Sequence, residues 1–229
     1  MKTMNDGFWH GFQQGGALTL SVAWVLLLMS MCSWLVVTYK VIEALQQRRM
    51  AWASNWCQWS DQQRRHWREQ ADANDPYAVL VDLGLQSMGE WRRLQQQHPR
   101  QAVDAAEWMG QKLQLGLDRN GLRAQRHLTI LASVGATAPF VGLLGTVWGI
   151  YHALTQIGLS GQASIDQVAG PVGEALIMTA LGLVVAIPAV LAYNALVRLG
   201  KNRMARWREF AHQLQTHLLL HAATFNEGN

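Results

Sequence analysis

The sequence predicts an all-α membrane protein: three transmembrane helices joined to long cytoplasmic helical extensions. Three observations lead there. Only 15% of the 229 residues are charged, while 50% are hydrophobic; ordinary soluble domains carry about 25% charged residues. The charges are also unevenly placed, because residues 17–39, 128–165 and 175–197 contain none. Finally, the intervening segments are polar and rich in Gln, Arg, Ala and Glu with helical periodicity.

In chain order, residues 1–16 place Met4, Phe8 and Phe12 four apart. They read either as a short amphipathic tail at the membrane interface or as a frayed end. Residues 17–39 form the first span, since about 20 apolar residues cross a hydrocarbon core. That run exceeds the apolar stretch of a cleaved signal, and no small-residue cleavage site follows it. Residues 40–129 form a cytoplasmic helical region. Within it, 40–72 reads as a helix continuing the first span, with Trp52, Trp56, Trp59 and Gln63 on one stripe. Asp75 then caps a helix with Pro76 at its first position and Gln97 near its end. His98-Pro99 breaks it, and residues 100–127 lead back to the membrane.

The 38-residue bare stretch is too long for one crossing. It divides into a second span, 130–154, and a short loop, 155–167, whose Gly, Ser and Gln residues mark it. Residues 168–197 make the third span, and 198–229 a cytoplasmic tail.

Orientation follows from Lys and Arg. Residues 1–16 hold one and 155–167 none, whereas 40–127 hold 13 and 198–229 hold five. The positive-inside rule therefore sets the N-terminus out and the C-terminus in. The net charge of +4 is then no nucleic-acid signal: +6 lies on the cytoplasmic side, zero on the tail, and −2 comes from Asp166 and Glu174.

Several function classes fall away. Cys32 and Cys57 form no framework and no metal-ligand spacing, so no metal and no cofactor is expected. His66, His98 and His127 are scattered, and nothing assembles a nucleophile, base and oxyanion site, so an enzyme is not expected. The Trp stripe reads as packing.

The spans carry the chemistry. On a helix turning 100° per residue, Gly135, Ala138, Gly142, Gly145, Thr146 and Gly149 lie within about a 100° arc. Thr179, Gly182, Ala186 and Ala189 lie within about 80° on the third span. Such faces let helices approach closely, because lipid supplies no hydrophobic drive between them; the two faces meet each other or a partner helix. Pro139, Pro171 and Pro188 mark kinks that neighbouring helices can accommodate. Glu174 is costly inside a span and is by default a functional-site candidate. Burial favours the neutral form of a carboxyl, which would let it exchange protons. On an ideal helix it stands about 140° from Thr179. Either several copies in a ring let each face a different neighbour, or Pro171 rotates one of them.

The runs APFVGLLGTVWGI (138–150) and GPVGEALIMTALGLVVAIPAVLAYN (170–194) resemble the ExbB/TolQ/MotA proton-channel family, most closely its ExbB and TolQ branches. About 60 residues carry the likeness strongly, and the three-span layout extends it. Gly170-Pro171 departs slightly from the usual Ala-Pro. The resemblance implies a ring of subunits, a homopentamer, in the inner membrane of Gram-negative bacteria. It implies an ExbD-like single-span dimer inside the ring, which supplies an essential aspartate, and protons as the coupling ion. Proton flow would do mechanical work on a TonB-like protein for uptake of iron chelates or haem across the outer membrane. A TolQ-like role in the Tol-Pal envelope system and a non-conducting scaffold are the alternatives. The family's polar pore residues correspond to Thr146, Glu174 and Thr179.

Overall fold

The computed structural model describes residues 16–49, 51–72, 75–97, 104–160 and 165–226. The described residues form helices throughout: α1 (Gly16–Arg49), a 3-10 helix (Ala51–Gln58), α2 (Asp61–Gln70), α3 (Pro76–Gln97), α4 (Ala105–Gln125), α5 (Leu128–Ser160) and α6 (Ile165–Asn226). Three stretches, within Leu18–Gln46, Ala105–Leu159 and Ala169–Leu220, are long and apolar enough to cross a membrane. The chain divides into two compact units, residues 1–40 with 127–196 and residues 41–126 with 197–229. The amphipathic tail expected at 1–16 lies, but for Gly16, outside the described residues, as does the break at His98-Pro99.

The first unit is a bundle of α1, α5 and the first part of α6. Val22 and Leu26 of α1 pack with Val134 and Ala138 of α5 and Ala186 and Ala189 of α6. Large apolar side chains, among them Trp24, Phe140 and Val184, point outward. That inversion of the soluble pattern suits a lipid exterior, where outward Leu and Trp cost nothing and small residues serve the contacts. Tyr39 meets the His127 ring edge-on, with centroids 5.9 Å apart. His127 holds a φ of 70°, a left-handed conformation that a side chain occupies at a cost of about 1–2 kcal/mol.

The boundaries differ from the expected ones in two places. Lys40 does not end the apolar exterior of α1: it is only 4% exposed, while Tyr39 before it and Val41 and Ile42 after it are exposed. Most of the expected loop 155–167 is helical, because α5 runs to Ser160 and α6 begins at Ile165; its Gly158 faces open space and packs against nothing that would break the helix. The segment expected as a helical extension after residue 197 is the continuation of α6 to Asn226.

The second unit packs α2, α3, α4 and the last part of α6 around Leu80, Val81, Met109, Leu113, Phe210 and Leu214. Here 40–72 is not one helix, as its composition suggested. α1 stops at Arg49, a 3-10 helix follows, and α2 starts afresh at Asp61. The restart is a capping box: the Ser60 hydroxyl accepts from Gln63 N–H, and the Gln63 side chain accepts from Ser60 N–H. The 3-10 helix places Trp56 in the core beside Trp67 and Trp207. Arg64 seals its end by donating to the carbonyls of Trp56 (3.3 Å) and Cys57 (3.0 Å). Its guanidinium also lies 4.7 Å from the centre of the Trp56 ring. Trp56 and Trp59 of the expected stripe thus serve packing, while the side chain of Trp52 lies outside what the structure describes. Burial pushes the Cys57 thiol up, against the pull of Arg64, which leaves it a poor nucleophile.

Asp75 caps α3 as expected, its Oδ1 accepting from Tyr77 N–H at 3.0 Å. Burial raises this carboxyl above its usual range, partly offset by that backbone bond. A raised carboxyl means that the folded state holds its proton more tightly than the unfolded chain. Stability is therefore highest below the unfolded value and falls as pH rises through the folded one. Asp75→Asn keeps the cap, Asn and Asp being equivalent there. It is expected to match the wild type near pH 3.5 and to melt higher at pH 7. Asp75→Ala is expected to lie about 1 kcal/mol below Asp75→Asn at both. Thermal melts of the detergent-solubilised protein across that range check the sign.

Candidate pore-lining site

The two small-residue faces meet each other. Where α5 and α6 cross, a Cβ built on Gly142 would lie 2.7 Å from the Met178 carbonyl and 3.1 Å from the Cα atoms of Gly182 and Thr179. A Cβ on Gly182 would lie 2.7 Å from the Ala138 carbonyl. Those obstacles are backbone, so the contact admits only glycine. Along the same seam Gly149 faces Ala175, Gly135 faces Val190, and Gly145 faces Met178 and Val22 of α1. Ala138 and Ala186 are buried in it. α5 runs unbroken through Pro139, and α6 through Pro171 and Pro188.

This closeness brings two hydroxyls together. Thr179 Oγ1 donates to Thr146 Oγ1 at 3.4 Å, and Thr146 Oγ1 donates to the Leu143 carbonyl at 2.7 Å. Thr146 is buried and Thr179 half-buried. The result is a short relay of oxygens in an otherwise apolar seam, each able to accept one hydrogen bond and pass on another.

Glu174 is not part of it. Its residue is exposed at the edge of the seam, about 40° around the helix from Met178, and next to Gly170 and Gly173, which face open space. The structure therefore separates the three expected site residues into an internal pair and one carboxyl exposed at the edge of the seam. Sequence reasoning missed Val22 and Met178 as members of the seam, because nothing in an apolar run distinguishes inward from outward Val or Met. Among the described residues, no three His, Cys, Asp or Glu side chains converge as a metal site.

Residues 83–209 match the MotA/TolQ/ExbB proton channel family. The chain is 40% identical over 218 residues to the biopolymer transport protein ExbB of Neisseria meningitidis, covering 91% of this chain and 95% of that protein. It is 39% identical over 203 residues to the ExbB of Xanthomonas campestris, covering 85% and 80%. Against the Tol-Pal system protein TolQ of Pseudomonas aeruginosa the identity is 35% over 147 residues, 64% of each chain. With three helices long and apolar enough to cross a membrane and this match over more than half its length, the chain belongs to the MotA/TolQ/ExbB proton channel family.

Proposed function

We propose that this chain is the ring-forming subunit of an inner-membrane proton channel. With an ExbD-like single-span partner dimer, it turns proton motive force into mechanical work on a TonB-like protein for uptake across the outer membrane. The observation that carries this reading is the exposed Glu174. An exposed carboxyl on a membrane-crossing helix costs several kcal/mol against lipid, and Gly170 and Gly173 beside it leave room for another helix. A partner helix, or a neighbouring copy in the ring, covers it. The Thr146–Thr179 pair stabilises the seam that holds Glu174 in position and supplies hydroxyls near the path. Each proton moved across 100 mV yields about 2.3 kcal/mol, enough to bias a two-state rotation of the partner. The N-out, C-in orientation, the pentamer and the Gram-negative inner membrane belong to the same proposal. The ExbB role is favoured over the TolQ role because the ExbB relatives align over a larger share of the chain.

The test is co-purification with the single-span protein encoded beside it, followed by mass measurement. The expected particle holds several copies of this chain and two of the partner. Recovery only as a monomer without partner overturns the reading.

A further inference from the structure

The second unit is electrically polarised along the chain. Residues 119–126 and 197–208, which lead into and out of the membrane bundle, carry eight basic residues and no acidic one. Residues 50–118 carry seven basic and nine acidic. Three of them stand on the last two turns of α4 and its C-cap. Arg119, Leu122 and Arg123 follow the i, i+3, i+4 spacing of a single helix face, Arg126 is the C-cap just beyond it, and all four are exposed. Leu122 is 73% exposed, which is unfavourable for a large apolar side chain in water. Arg126 lies two residues and Arg123 five residues before the start of α5. By chain length alone Arg126 stays within about 7 Å of that start and Arg123 within about 18 Å.

From this face we infer a binding surface for anionic phospholipid headgroups of the leaflet where α5 enters the membrane. Arg119, Arg123 and Arg126 take the headgroup phosphates, and Leu122 reaches the acyl boundary. Guanidinium groups form forked hydrogen bonds to phosphate oxygens. An apolar side chain between them gains only where hydrocarbon is within reach. Arg198 and Lys201, also exposed, begin the equivalent basic run on α6. Two other accounts compete. The arginines could serve only to complement the negative C-terminal end of the α4 dipole, or the face could contact a second copy of the chain. Neither explains why acidic residues are missing from both membrane-proximal runs, whereas an anionic surface selects against them. The inference requires that α5 spans a membrane, not that the chain conducts protons.

The experiment uses the full complex in neutral maltoside micelles and measures binding of fluorescent phosphatidylglycerol, with fluorescent phosphatidylcholine as the neutral probe. The wild type is expected to prefer phosphatidylglycerol. Each Arg→Gln change at 119, 123 or 126 should weaken that binding about fivefold, and the triple variant about a hundredfold, with phosphatidylcholine unchanged. The triple Arg→Lys variant should retain most of the preference, which guards against a loss of folding. Equal binding of both probes by the wild type, or an undiminished preference in the triple Gln variant, overturns the inference. Smaller complexes with lipid preference intact also overturn it and assign the face to contacts between copies. Failure of proton-driven uptake with lipid preference intact would count against the proposed function alone.

Discussion

Glu174→Ala is expected to abolish uptake driven by proton motive force while leaving the complex assembled. The carboxyl is exposed at the edge of the seam with open space beside it, so its removal leaves no cavity in the bundle. The expected loss is about a hundredfold or more, the scale of a positioned proton-transfer group. Glu174→Gln keeps shape and hydrogen-bonding capacity but cannot ionise, so it should fail equally. Normal uptake by the Gln variant would reduce Glu174 to a packing residue. Thr179→Val probes the internal pair. It is isosteric and removes the donor to Thr146, a change of about 1 kcal/mol in stability, yet uptake should be lost. Thr179→Ser keeps the hydroxyl and should retain uptake. Uptake of iron chelate or haem, measured with and without an uncoupler, reads all four variants. Blue-native gels report assembly.

Gly142→Leu should instead prevent the bundle from forming. Even a methyl at this position meets the Met178 carbonyl at 2.7 Å, and backbone cannot move aside as a flexible side chain would. Overpacking in ordinary cores costs about 1–3 kcal/mol. Here the helices must separate, opening the seam from Gly135 to Gly149 and exposing the Thr146–Thr179 pair. Gly182→Leu should fail in the same way. Gly89→Ala is the control: its Cβ meets nothing within 4 Å, and alanine is the better helix former by about 1 kcal/mol. Thermal melts in detergent are expected to show no cooperative transition for the two Leu variants and an unchanged or higher midpoint for Gly89→Ala. A Gly142→Leu protein melting like the wild type would show that the seam is not closed in solution.

The three charge-free runs determined how many helices cross, because an unpaired charge in hydrocarbon is expensive and the chain must avoid it locally. The Asp75-Pro76 start of α3 was equally legible, since a cap depends on residues two or three apart. The same logic reaches Ser60-Asp-Gln-Gln63, a capping box that the helix-favouring composition of 40–72 concealed. Where composition stood in for such local signals, as at the 155–167 loop, the helices ran on.

The 100° arcs marked the small faces, but period alone does not say what a face touches. Only the tertiary structure decided that the α5 and α6 faces close on each other, that α1 joins through Val22, and that Lys40 turns inward while its neighbours turn out. It also decided that Thr146 and Thr179 bond to each other while Glu174 stands apart. The reason is physical. Charge and hydrogen-bonding requirements act over a few residues and are written in the sequence. The pairing of surfaces depends on shape brought together from segments more than thirty residues apart.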